Sequence, residues 1–120
     1  FNAVGKILVI DEDQMASATA LGACGVAFFL RAIRAASQGG IEIGFHSDEA
    51  FTIAAQTARS AATLLLDNDS HPEAEIDQVT TPMGATIAGL NEMEHQGFSS
   101  AMIKGITTST EKVSKLFKKD

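Results

Sequence analysis

The longest apolar element of the chain, "DEAFTIAAQTARSAATLLL" at residues 48–66, does not keep its hydrophobic positions to one stripe. Small residues run along it at Ala54, Ala55, Ala58, Ala61 and Ala62, while Phe51, Leu64, Leu65 and Leu66 spread apolar surface around it. A helix that is apolar on most sides must be covered on most sides. In a chain this small a second subunit is the expected source of part of that cover, which predicts an intimate homodimer through the long helices.

The periodicity on either side predicts further helices. From "DEDQ" onward the pattern is helical, with Asp11 as N-cap and acids in the first turn, and it runs to about Leu21. "GACG" at residues 22–25 predicts a break, after which "VAFFLRAIRAASQ" forms a second helix stopped at Gly39 and Gly40. Ser47 is expected to cap the long helix. "DNDSHP" ends that helix and starts a short acidic one, with Pro72 at the first position, where the missing N–H costs nothing. "ATIAGLNEMEHQ" is then a helix stopped by Gly97. A final helix over residues 99–117 carries Met102, Ile103, Ile106, Val113, Leu116 and Phe117 at spacings of mostly three and four. Only "VGKILVI", residues 4–10, reads as a strand, being a continuous apolar run too short for a helix. Lacking a partner in the chain, it is expected to close a sheet whose other strands lie upstream, or to pair with another chain. The fold class predicted is all-α with a short strand-like N-terminal leader.

Composition narrows the picture. A chain of 120 residues is one domain, long enough to bury most of its apolar surface without disulfides or metal. Its first residue is Phe1, and the opening stretch reads as the end of a preceding segment. Hydrophobic residues make up 45%, with no tryptophan or tyrosine, so a core must come from Ala, Ile, Leu, Val, Met and seven Phe, a palette that favours closely packed helices. The net charge of −6 argues against a nucleic-acid partner, which needs a basic face. The lysines at 104, 112, 115, 118 and 119 gather near the C-terminus, where they complement a helix dipole. Cys24 is alone, which rules out an internal disulfide and fits a reducing cytoplasm. No apolar run reaches the ~18–20 residues of a membrane span. Nothing at the N-terminus resembles a signal peptide. The expected location is therefore cytoplasmic, with no membrane partner.

Candidate chemistry centres on "TTPMGAT", residues 80–86. One reading is punctuation between two helices, since Thr and Pro favour such junctions. The other is an anion cradle: free N–H groups of a helix's first turn, at the positive end of its dipole, with a glycine that lets the ligand approach. Gly84, Ala85 and Thr86 would supply N–H groups, and Thr81 and Thr86 hydroxyls. Other constellations are weaker. Glu92 and His95 form half of a di-iron carboxylate motif, and no second Glu-x-x-His pair exists. His71, Glu73, Glu75 and Asp77 read as an acidic helix entrance, so no metal is expected. Cys24 has no evident base and reads as a small residue at a tight junction. "QGGIEIG" lacks the strand and spacing of a phosphate loop.

Taken in order, these pieces resemble the C-terminal domain of pyrroline-5-carboxylate reductase over nearly the whole chain. "AVGKILVIDEDQMASATAL" is similar to the junction between that family's dinucleotide-binding and helical domains, and "AAQTARSAATLLL" to its long buried helix. The most specific stretch is "HPEAEIDQVTTPMGATIAGLNEMEHQGFSSAMIKGI": His-Pro, then Val-x-[Ser/Thr]-Pro-x-Gly-x-Thr, then Leu and Gly-Phe. The resemblance implies a helical dimerisation domain of the pyrroline-5-carboxylate reductase and 6-phosphogluconate dehydrogenase C-terminal type. Residues 1–10 would end an upstream Rossmann domain, and residues 11–120 would form the helical dimerisation and substrate-side domain. It also implies that Gly84, Ala85 and Thr86 hold the carboxylate of a cyclic imine and that Thr81 assists. Thr86 would contact or orient the imine nitrogen as the catalytic residue, and Thr19 would match a position close to the substrate. The hydride would come from NADPH or NADH, bound mainly by the absent N-terminal domain. Two departures stand out: Met83 occupies a position where the family usually has glycine, and Gly22-Ala23-Cys24-Gly25-Val26 replaces Ser-Gly-Ser-Gly-Pro.

Two readings of different class remain. One is the helical part of an NAD(P)H-dependent reductase converting 1-pyrroline-5-carboxylate to proline, or of a related imine reductase, inactive as this fragment alone. The other is a non-catalytic dimerisation or regulatory module on the same fold. Association beyond a homodimer is left open.

Overall fold

The computed structural model describes residues 14–117, and among these there are helices and their connections and no strand. The leader at residues 4–10 and the cap predicted at Asp11 lie outside the described residues. The elements are α1 (Met15–Ala18), a π-helical stretch (Thr19–Cys24), α2 (Gly25–Glu42), α3 (Ser47–Asn68), α4 (Pro72–Val79), α5 (Ala85–His95) and α6 (Phe98–Phe117). They form two compact units, one of the described residues up to Leu30 and from Ser99 onward, the other Arg31–Phe98.

In the first unit the break expected at residues 22–25 does not occur. The chain instead stays helical and widens: the Gly25 N–H reaches the Ala20 carbonyl five residues back, the bond that defines a π turn. Glycine in a helix costs only ~1 kcal/mol relative to alanine, too little to end a helix that packing favours. Ala20, within this widened turn, is fully buried. In α6, a Cβ added at Gly105 would lie 3.7 Å from Cε2 of Phe28, an ordinary van der Waals contact, so the ring packs over this position without requiring glycine there.

The second unit holds a second correction. Gly39 and Gly40 do not stop α2, which continues to Glu42. Termination falls at Gly44, whose φ of 120° an L side chain rarely adopts. The Gly44 N–H donates to the Ile41 carbonyl (3.0 Å) and the Phe45 N–H to the Gly40 carbonyl (3.0 Å), the bond pair of a Schellman motif. Gly40 has another purpose, since a Cβ there would lie 3.0 Å from Cβ of the buried Ala50 on α3.

The caps follow local chemistry. His46, rather than Ser47, is the N-cap of α3, and its N–H donates to Glu49 Oε1 (3.1 Å) as in a capping box. Asp69 closes α3 at φ 50°, a conformation aspartate tolerates. Pro72 stands at the start of α4 as predicted, and His71 Nδ1 accepts the Glu73 N–H at 3.1 Å. Gly97 stops α5 at φ 87°, its N–H donating to the Glu94 carbonyl at 2.9 Å.

Burial is sparse. Ala20 and Ala50 are the buried apolar side chains among the described residues, while Phe29, Leu30, Phe51 and Ile103 are each exposed. The expectation that the chain buries most of its apolar surface is therefore not met by a single copy. Ordering each residue's backbone costs ~1–2 kcal/mol, and apolar area left in water contributes nothing against it. A further surface must cover these faces. The joined helix Met15–Glu42, at 28 residues, is long and apolar enough by length and composition alone to cross a bilayer, a test that the core helix of a water-soluble protein also passes.

The two adjacent glycines of α2 should respond oppositely to substitution. In the full-length protein, Gly40→Val is expected to lower unfolding stability by ~1–3 kcal/mol through overpacking against Ala50. A Cβ at Gly39 meets no atom within 4 Å, so Gly39→Ala should raise stability by ~0.5–1 kcal/mol. Denaturant midpoints of the two variants check both signs.

Candidate functional site

The connection between α4 and α5 is a short turn fixed at both ends. Thr80 closes α4, its N–H donating to the Ile76 carbonyl (3.1 Å) and its Oγ1 to the Asp77 carbonyl (3.3 Å). Pro82 is the second residue of a four-residue turn that closes when the Gly84 N–H donates to the Thr81 carbonyl at 3.0 Å. With proline second and a left-handed third residue, the turn has the features of type II. That third residue is Met83, at φ 60°.

Gly84 is the N-cap of α5 with an ordinary extended backbone, φ −81° and ψ 168°. Its glycine identity follows from space. A Cβ at this position would overlap Thr81 Oγ1 and lie 3.0 Å from the Thr81 carbonyl oxygen. The first bond of the α5 ladder runs from the Ala88 N–H to the Gly84 carbonyl at 3.4 Å. Hence the N–H groups of Ala85, Thr86 and Ile87 precede the ladder, at the positive end of the helix dipole. No side chain caps them, and the first turn of α5 holds no carboxylate, whereas α3 and α4 begin with Asp48, Glu49 and Glu73, Glu75. Thr81, Ala85 and Thr86 are exposed and Gly84 is half-buried. Such an entrance can hold a small anion.

Of the residues singled out from the sequence, Thr81, Gly84, Ala85 and Thr86 thus share one turn and the helix start that adjoins it. The Gly84 N–H is engaged within the turn, so the donors toward a ligand are the Ala85 and Thr86 N–H groups with the two hydroxyls. Thr19 belongs to the other compact unit, half-buried at the first position of the π-helical stretch. Sequence reasoning did not foresee the left-handed backbone at Met83. The signal was present, because proline at the second position of a turn that closes two residues later is compatible with positive φ in between.

The weaker constellations have local partners. Glu92 Oε2 accepts from Gln96 Nε2 at 3.0 Å, Glu75 Oε2 accepts from Ser70 Oγ at 2.6 Å, and His71 caps α4. Among the described residues no three His, Cys, Asp or Glu side chains gather as metal ligands. Nor do these residues contain the strand, glycine-rich turn and helix that cradle a dinucleotide, so they do not by themselves fit a nicotinamide cofactor.

The sequence profile of the pyrroline-5-carboxylate reductase dimerisation family matches residues 12–116. The chain belongs to that family. Among its relatives, pyrroline-5-carboxylate reductase 1 of Dictyostelium discoideum is 67% identical over 117 residues, covering 98% of this chain and 21% of the relative. The crystal structure of 1-pyrroline-5-carboxylate reductase from Streptococcus pyogenes is similar with a TM-score of 0.85 and 29% identity, covering 88% of this chain and 41% of that one. Plasmodium falciparum pyrroline carboxylate reductase, solved with NADP bound, shares the fold at a TM-score of 0.83 and 24% identity, over 87% of this chain and 40% of that one. The chain therefore spans less than half the length of these relatives. The all-α architecture expected from the periodicity is that of this dimerisation family.

Gly84→Ala tests the turn. It is expected to lower stability by ~1–3 kcal/mol through the clash with Thr81. Amide exchange at position 84 should accelerate in the same variant, since its N–H loses the Thr81 carbonyl.

Proposed function

We propose that this chain is the dimer-forming, substrate-side part of an NAD(P)H-dependent pyrroline-5-carboxylate reductase, which reduces 1-pyrroline-5-carboxylate to proline. The observation that carries the reading is the entrance to α5, where the Ala85 and Thr86 N–H groups precede the helix ladder beside a turn with room for no side chain at Gly84. In this reading those two N–H groups hold the substrate carboxylate, with the Thr81 hydroxyl assisting. Gly84 keeps the approach open. Thr86 contacts the imine nitrogen through its hydroxyl and orients the ring. The reduced nicotinamide supplies a hydride to the imine carbon, and a proton completes the amine at nitrogen. The chain's own contribution is orientation and electrostatics.

The same proposal covers organisation and partners. Residues 1–10 end a Rossmann domain that binds most of the cofactor, and residues 11–120 form the helical domain. Thr19 is a further substrate-side position in this reading. The exposed apolar faces of α2 and α3 meet a second copy, so that the functional unit is a homodimer. Its compartment is the cytoplasm, a reading supported here by the single free thiol, Cys24.

The test is oxidation of NADPH and NADH by the full-length protein with and without pyrroline-5-carboxylate. Substrate-dependent turnover is expected, and Thr86→Ala should lower kcat/KM by about 10–100-fold, the scale of a lost positioning contact, with the dimer intact by light scattering. Absence of turnover from folded, dimeric protein would favour the non-catalytic module instead. Unchanged kinetics in Thr86→Ala would remove that residue from the site.

A further inference from the structure

Helix α6 carries a run of weak helix formers near its middle. Residues 105–110 read Gly-Ile-Thr-Thr-Ser-Thr, without one Ala, Leu, Met, Lys, Arg, Glu or Gln among them. Each costs the helix more than alanine would, glycine most, because β-branched side chains lose rotamer freedom and hydroxyls compete with the backbone ladder. The flanking turns differ. Ala101, Met102 and Lys104 precede the run, and Glu111, Lys112, Lys115 and Leu116 follow it. Space does not require the glycine, since a Cβ at Gly105 would make an ordinary contact with Phe28.

Two of the hydroxyls compete with the ladder directly. Thr107 Oγ1 donates to the Lys104 carbonyl at 3.1 Å, and Thr110 Oγ1 to the Ile106 carbonyl at 2.9 Å. In an α-helix those carbonyls also accept the N–H groups of Thr108 and Thr110, so each is shared between two donors. Such bonding back to the preceding turn weakens and bends a helix. Packing within one copy adds little resistance, because no residue of α6 is buried. Phe28 rests over Gly105 at the N-terminal edge of the run, while Thr107 and Thr108 are exposed.

We infer that residues 105–110 form a hinge within α6. The helix opens there before its flanking turns do, and the turns that carry the exposed Leu116 and Phe117 swing about it. Low helix preference, shared carbonyls and sparse burial coincide in this one stretch, and local opening concentrates where buried contacts are few. The hinge lies apart from the α4–α5 turn and does not depend on the reductase reading.

The experiment is residue-resolved amide hydrogen exchange on the full-length protein, in wild type, in the double variant Thr107→Ala/Thr108→Ala, and in Ser100→Ala. The N–H groups of residues 109–112, which bond to the carbonyls of the run, are expected to exchange about tenfold faster than those of 103–106 and of 113–115. Alanine at both exposed threonines should slow that exchange by about five- to tenfold, the factor that two threonine-to-alanine preferences imply. Ser100→Ala, an alanine gain outside the run, should leave those amides unchanged. Protection that is uniform along α6, or that falls only toward Phe117 as in end fraying, would overturn the hinge. So would unchanged exchange in the double variant, or an equal slowing by Ser100→Ala, which would mean that the helix opens as a whole.

Discussion

Uncovered apolar surface is the constraint on which the rest of this structure depends. The helices carry Phe, Leu and Ile on faces that a single copy leaves in water, and the side chains it does bury are small. Hydrophobic burial scales with area removed from water, so the large side chains stabilise the fold only once something covers them. Membership of a dimerisation family gives these faces a reason.

Within one copy, Gly40 permits close contact between α2 and the buried Ala50 on α3, which an added Cβ would approach to 3.0 Å. This glycine is not at a turn but shapes a surface. Gly44 and Gly97, in contrast, end helices through positive φ, and the chain uses the same residue type for two unrelated physical purposes. The α4–α5 loop combines both ideas in adjacent positions, with space decisive at Gly84 and backbone angle at Met83.

Much of this was legible in the sequence, and the failures have a common origin. Helix existence followed from the three-and-four spacing, as in α6, and Pro72 and Gly97 marked ends through chemistry that is local to them. Gly39 and Gly40 misled because a glycine's local cost is small, and whether it ends a helix depends on contacts made by residues distant in sequence. Ser47 was displaced as cap by His46, where Glu49 stands at the spacing a capping box requires. That the loop's glycine and threonines would adjoin a helix start was legible. The engagement of the Gly84 N–H within the turn was not, because it depends on the backbone angle at Met83.

The π-helical stretch at Thr19–Cys24 has a consequence for how this helix tolerates change. An α-helix turns by about 100° per residue, and a widened turn absorbs one additional residue, so the helical segments on its two sides keep the phase of an uninterrupted helix. Side chains before the stretch, and Thr19 at its first position, hold their direction relative to α2 only while the turn stays widened. Tightening of the stretch to a regular helix with every residue retained would rotate the preceding segment by about 100° about its axis, while the helical ladder itself stayed continuous. For this segment, the register of the ladder is a stricter inheritance than length: the loss of one residue can be absorbed as a regular helix, but a change of bonding pattern at constant length cannot.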